Sequence, residues 1–120
     1  MISYSGGMEY DPDDFVAFDT QANGALSQSD DFEPRVRIDF DEDGLVGGIF
    51  TQLTGSAEIV WPATEHAFVI EGSVTITYHE TGDTIEYMRG DGWIIRKGTR
   101  VTWDVTTPEF AKAFFLYGGE

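Results

Sequence analysis

From Arg35 onward, short apolar runs alternate with polar residues and are closed by turn signals roughly every 8–12 residues, the pattern of an all-β sandwich or barrel. Val36-Arg37-Ile38-Asp39-Phe40 alternates cleanly, and Asp41-Glu42-Asp43-Gly44 follows as a turn. Further strand-like runs cover 48–53, 58–61, 66–70, 73–78, 84–88, 93–95, 101–105 and 110–117. They are separated by Thr54-Gly55-Ser56, Pro62, Gly72, Thr81-Gly82-Asp83, Gly90-Asp91-Gly92 and Thr107-Pro108, residues that favour turns or cannot continue a ladder. No segment carries a sustained helical stripe. The spacing therefore predicts an all-β domain over residues 35–120, preceded by residues 1–34 as an acidic N-terminal arm or set of loops. In that arm only Phe15, Val16 and Phe18 form an apolar patch. It is expected to pack on the barrel flank or on a partner subunit, because wet phenylalanines are costly.

Strand parity assigns faces, since alternate side chains point to opposite sides. Glu65 shares a face with Ala67 and Val69, which are small enough to leave a cavity, while His66, Phe68 and Ile70 take the other face. Apolar residues on both faces imply burial on both, between sheets or at a subunit interface, and motivate the expectation of a homodimer. Thr99, Val101, Trp103 and Val105 share a second face, and Phe110, Lys112, Phe114 and Leu116 a third. Lys112 breaks its pattern. A lysine in such a strand either snorkels to the rim or projects inward as a buried cation.

Charge limits the partners. With 22 acidic and seven basic residues the formal net charge is −15, which repels phosphate backbones and anionic membrane surfaces, so neither nucleic acid nor membrane is expected. Twelve of the acids lie in residues 1–43, beside only Arg35 and Arg37. The chain has no cysteine, its first residues lack a basic-then-apolar leader, and no run is long enough for a membrane helix. A reducing, cytoplasmic location is the expectation.

Two glycine-bounded segments carry the strongest resemblance. Trp61-Pro62-Ala63-Thr64-Glu65-His66-Ala67-Phe68-Val69-Ile70-Glu71-Gly72 is answered by Gly90-Asp91-Gly92-Trp93-Ile94-Ile95-Arg96-Lys97-Gly98-Thr99-Arg100. Together they resemble the two halves of the cupin signature. The match extends over residues 47–117 and is similar to small single-domain cupins related to the ethanolamine-utilisation cupin and to ureidoglycine-aminohydrolase-like cupins. The resemblance implies a double-stranded β-helix, or jelly-roll barrel, with the two motifs facing each other across its cavity. It constrains function less, because one fold hosts many activities. Metal-binding cupins place two His shortly before the Glu and a third after the second glycine turn. Here those places hold residues such as Ile59, Val60, Trp61 and Val101.

The resemblance puts Glu65 at the fold's ligand position, where it would serve as acid, base or anchor for a cation; the alternative is a salt bridge to Lys112 or Arg100 that satisfies a buried charge. Lys112 is the second candidate catalytic group, an amine that binds or attacks a carbonyl or holds a carboxylate. Trp61 and Trp103 are expected to wall the ligand, with Arg100 and Tyr78 at the rim and Trp93 in the core. His66 is expected to be structural and His79 a surface residue. No cofactor is expected, because three or four converging ligands are wanting; a divalent ion held partly by Glu65 is the alternative. The sequence thus predicts a cupin that binds a small polar metabolite, with proton-transfer or hydrolytic chemistry in view. A non-catalytic binding or accessory module with a partly filled cavity is the competing reading.

Overall fold

The computed structural model describes residues 1–30 and 32–118. Nine strands follow one another: β1 (Val16–Ala17), β2 (Ala25–Gln28), β3 (Arg35–Glu42), β4 (Leu45–Val60), β5 (Thr64–Glu71), β6 (Ser73–Tyr78), β7 (Thr84–Met88), β8 (Gly92–Ile95) and β9 (Arg100–Tyr117). Every pairing is antiparallel, in the order β1-β3-β4-β9-β5-β8, with β2 on β4 and β6 between β7 and β9. This is the predicted all-β jelly roll. Among the described residues no helix is long and apolar enough to cross a membrane.

Two long strands replace four predicted short ones. The break expected at Thr54-Gly55-Ser56 is a register shift inside β4 between Leu53 and Gly55, and Thr107-Pro108 lies inside β9 between its two paired halves. Bulges of this kind bend a strand without ending it. In β9, residues 101–105 pair with β6, whereas residues 111–117 pair with β5, so one strand supplies both Trp103 and Lys112 to the same interior. Gly72 joins β5 to β6 at φ 76°, and a Cβ there would lie 2.2 Å from the Glu109 carbonyl oxygen, so only glycine fits beside the bent strand.

The described residues of the N-terminal segment run over the barrel. Tyr4, Met8, Tyr10 and Phe15 cover the outer face of the sheet at Ile49, Ile70, Ala111 and Ala113, forming a second apolar cluster outside the barrel. Of the two packing partners expected for Phe15, the barrel flank is the one found. The Phe68 and Ile70 end of the outward face of β5 is therefore covered by the chain's own arm, which accounts for Ile70 without a partner subunit. Phe18, Thr20, Asn23 and Phe32 stand at the barrel mouth instead. Phe18 meets Phe50 edge to face at 5.6 Å, β2 pairs with β4, and buried Phe32 packs on Gly55, where a Cβ would come within 2.3 Å of the Phe32 Cβ.

Polar contacts fasten the first part of the arm. The Tyr4 hydroxyl donates to Asp39 at 2.7 Å, the Tyr10 hydroxyl donates to Glu71, and the Gly7 N–H donates to the Ile70 carbonyl at 2.8 Å. Both phenols are held above their usual pKa, first by burial and then by the carboxylate each one bonds. A phenol whose folded pKa is raised contributes its stability fully below the unfolded value of about 10, and that contribution is lost as pH rises through the folded value. The melting temperature is thus expected to fall as pH passes about 10. Thermal scans of Tyr10→Phe across that range should show a shallower fall than wild type; an unchanged slope would mean that Tyr10 does not couple the arm to pH.

Candidate functional site

The barrel interior closes around one ion pair. Inward parity brings Glu65 from β5 and Lys112 from β9 together, with the Lys112 ammonium donating to Glu65 Oε2 at 2.8 Å. The side chains are 3% and 8% exposed, respectively. The other carboxylate oxygen, Oε1, accepts from Trp93 Nε1 at 2.8 Å. Trp93 stands on β8, which pairs with β5 so that Glu65 lies opposite Ile95 and Ala67 opposite Trp93. Both oxygens of Glu65 are therefore engaged, as a buried carboxylate requires.

Aromatic rings complete the surroundings. The Lys112 ammonium lies 4.8 Å from the Trp103 ring centroid, 5.2 Å from Phe50, 5.3 Å from Trp61 and 5.6 Å from Trp93. All four fall within the ~6 Å at which a ring quadrupole attracts a cation. Trp103 is the hub, with ring centroids 5.8 Å from Trp61, 5.8 Å from Trp93 and 5.4 Å from Phe110. Its indole N–H donates to Gln52 Oε1 at 2.6 Å, and the Gln52 amide donates in turn to the Leu53 carbonyl at 3.0 Å. Gln52 thereby fixes the rotation of the central ring.

A cavity of about 80 Å³ remains beside the pair. Glu65, Lys112, Trp61, Trp103, Phe50 and Gln52 line its floor, while Phe18, Thr20, Asn23 and Phe32 of the arm stand at its mouth. That volume is well below the ~300 Å³ at which drug-sized sites begin, but several times the ~10–15 Å³ needed for one water.

Four of the six predicted site residues converge here: Glu65, Lys112, Trp61 and Trp103. Two do not. Arg100 points out of the barrel and pairs with Glu58 at 3.1 Å on the exposed surface, because Val101 and Trp103 take the inward parity of β9. Tyr78 packs on the flank of the core and shares a 2.8 Å hydrogen bond with Tyr87, outside the cavity lining. His66 is exposed on the outer face, and His79 bonds Thr102 at the surface at 2.8 Å. Gln52 and Phe50 are the site residues that sequence reasoning missed. A glutamine two positions after a phenylalanine, on the same strand face, was the available signal.

The donor set does not fit a first-row metal. Beside Glu65 stand three indoles, a phenyl ring and an ammonium that already neutralises the carboxylate, and Val101, at a position where metal-binding cupins carry a ligand, is fully buried and apolar. Among the described residues no group of three or more His, Asp or Glu could hold a metal ion.

A family model described as the EutQ-like cupin domain, Cupin_3, matches residues 41–114. Among solved structures, the EutQ protein of Clostridium difficile is similar at a TM-score of 0.68 and 16% identity, covering 92% of this chain and 80% of that one. A Rhizobium leguminosarum protein of unknown function aligns at 0.64 and 16%, covering 72% and 82%. A DUF861 family protein of Thermotoga maritima aligns at 0.54 and 24%, covering 59% and 78%. At these identities the likeness is one of fold. The comparison with curated proteins finds no match.

Removing one member of the pair strands a buried charge. Glu65→Gln and Lys112→Met should each cost about 3–5 kcal/mol in chemical denaturation, whereas the double variant should end within about 2 kcal/mol of wild type. Additive losses would mean the two groups do not stabilise one another.

Proposed function

We propose, from the premise that this chain belongs to the EutQ-like cupin family, that its barrel is a binding site for a small molecule bearing a carboxylate or carbonyl oxygen. The observation that carries the reading is the hydrogen-bond inventory of Lys112. An ammonium has three donors, and among the described residues its only acceptor is Glu65. The others face aromatic rings and the cavity, where an entering oxygen would meet a charge-assisted donor in a site of low dielectric. Glu65 holds the ammonium in place, while Trp61, Trp103 and Phe50 supply the apolar wall.

The same geometry favours binding over acid–base catalysis. Glu65 is committed to Trp93 and Lys112, and proton transfer through it would first have to break a buried ion pair. The small cavity suits a ligand of a few heavy atoms, or the oxygen-bearing end of a larger one whose remainder passes the arm at Phe18 and Phe32. No step of this reading uses a metal. Isothermal titration with formate, acetate and glyoxylate is expected to show saturable binding to wild type and none to Lys112→Met. Saturable binding of equal strength to both would remove Lys112 from the role, and no binding by any of the three acids would overturn the reading.

We also propose that the protein is cytoplasmic and works as a homodimer formed through the outer sheet. Ile94 on β8, His66 on β5 and Phe115 on β9 lie in one cross-strand row that continues through Gly47 to Phe40, and Phe40 stacks on Phe115 at 6.2 Å. Ile94 is 72% and Phe115 42% exposed. A second copy offers the same flat apolar row, and the net charge of −15 would oppose its approach, so added salt should favour association. Light scattering should give a dimer mass that reverts to monomer in Ile94→Glu; a monomer at every salt concentration would refute it.

A further inference from the structure

We infer that Glu65, Phe50, Trp61, Trp93 and Trp103 form an ammonium-recognition site whose resident ligand is the chain's own Lys112 side chain, and that cutting this tether leaves a receptor for small primary alkylammonium ions. This goes beyond the binding proposed above. It concerns the cation side of the site and requires no oxygen-bearing ligand.

The chemistry of the pocket selects the class of cation. One carboxylate oxygen and four ring faces surround the charge, at 2.8 Å and at 4.8–5.6 Å respectively. Hard metal ions want several oxygen ligands in place of their hydration shell, and the pocket offers one. A guanidinium wants a carboxylate with both oxygens free for a fork of parallel hydrogen bonds, but Oε1 is occupied by the Trp93 indole. A quaternary ammonium has no N–H for Oε2. What remains is a compact organic cation with at least one N–H and an apolar tail, which is the end of a lysine.

The tether itself dictates the probe. Truncation of Lys112 at Cβ removes three carbons and the ammonium nitrogen, the atoms of n-propylammonium. The inward course of β9 across β5 and β4 leaves that volume enclosed, so the ion would enter from the cavity beside the pair.

The test is Lys112→Ala, followed by melting temperature as each solute is titrated: n-propylammonium, n-propanol, guanidinium, tetramethylammonium and potassium, all as chlorides where ionic. The expected result is a saturable rise with n-propylammonium at an affinity at least about tenfold tighter than n-propanol. That response should disappear in Glu65→Gln/Lys112→Ala. An equal response to n-propanol would show a plain apolar cavity, and an equal response to guanidinium or tetramethylammonium would show that neither Oε2 nor the rings select; each overturns the inference. If Lys112→Ala does not fold alone, its refolding yield with n-propylammonium against n-propanol supplies the same comparison, and failure with both counts against the site. Wild type gives a second readout, because Lys97 and Lys112 are the only lysines. Reductive methylation should modify exposed Lys97 and spare Lys112, and the ε-methylene protons of Lys112 should resonate well upfield of those of Lys97 through the ring currents. Coincident resonances with equal labelling rates would overturn the inference even if small carboxylates bind, and failure of the carboxylates to bind would leave it standing.

Discussion

The ion pair between Glu65 and Lys112 is the constraint around which the interior is arranged. Two opposite charges enclosed in an apolar barrel are tolerated only where each finds its partner and the remaining polar capacity is met. The strands satisfy this in three ways. β5 and β9 pair so that both charges face inward, β8 brings the Trp93 N–H to the second carboxylate oxygen, and β4 and β9 bring aromatic faces around the ammonium. Loss of one member would leave a charge with neither water nor counterion.

The arrangement also changes what the cupin interior does. In a metal-binding barrel the carboxylate is one of several ligands to a divalent ion. In this chain the carboxylate meets a monovalent cation carried on a side chain, and the ligand positions around it are filled by large apolar residues. The cation is carried by the chain itself, and its distance from Glu65 is set by the β5–β9 register.

The N-terminal arm couples the two sides of the sheet. Its first part covers the outer face of the sheet at Ile49, Ile70, Ala111 and Ala113 with Tyr4, Met8, Tyr10 and Phe15, and its second part brings Phe18 and Phe32 to the barrel mouth. The described acids of this segment, among them Asp11, Asp13, Asp14 and Asp19, are exposed, while its few aromatic residues do the packing. Phe15 outside and Phe18 inside are only three residues apart, with β1 between them paired to β3 at the edge of the sheet. The same short stretch therefore seals one apolar cluster and roofs the other.

Alternation, glycine turns and the two facing motifs determined the all-β fold and which residues share a strand face, Glu65 with Ala67 and Val69, and Lys112 with Phe110 and Phe114, because period-2 patterning and positive-φ turns are local properties of a chain. Local signals also made Thr54–Ser56 and Thr107-Pro108 look like strand ends, whereas long-range pairing carries β4 and β9 through both as bulges. Tertiary structure alone decided that Lys112 reaches Glu65 and does not snorkel to the rim, since 47 residues separate them and only the β5–β9 register sets their distance. It likewise sent Arg100 outward to Glu58, made Trp93 the donor to Glu65, and brought Gln52 under Trp103. It also laid the arm over a face of β5 that the sequence had offered equally to a partner. Parity states which side of a strand a residue takes, but which strand lies across from it is set by packing between segments distant in the chain.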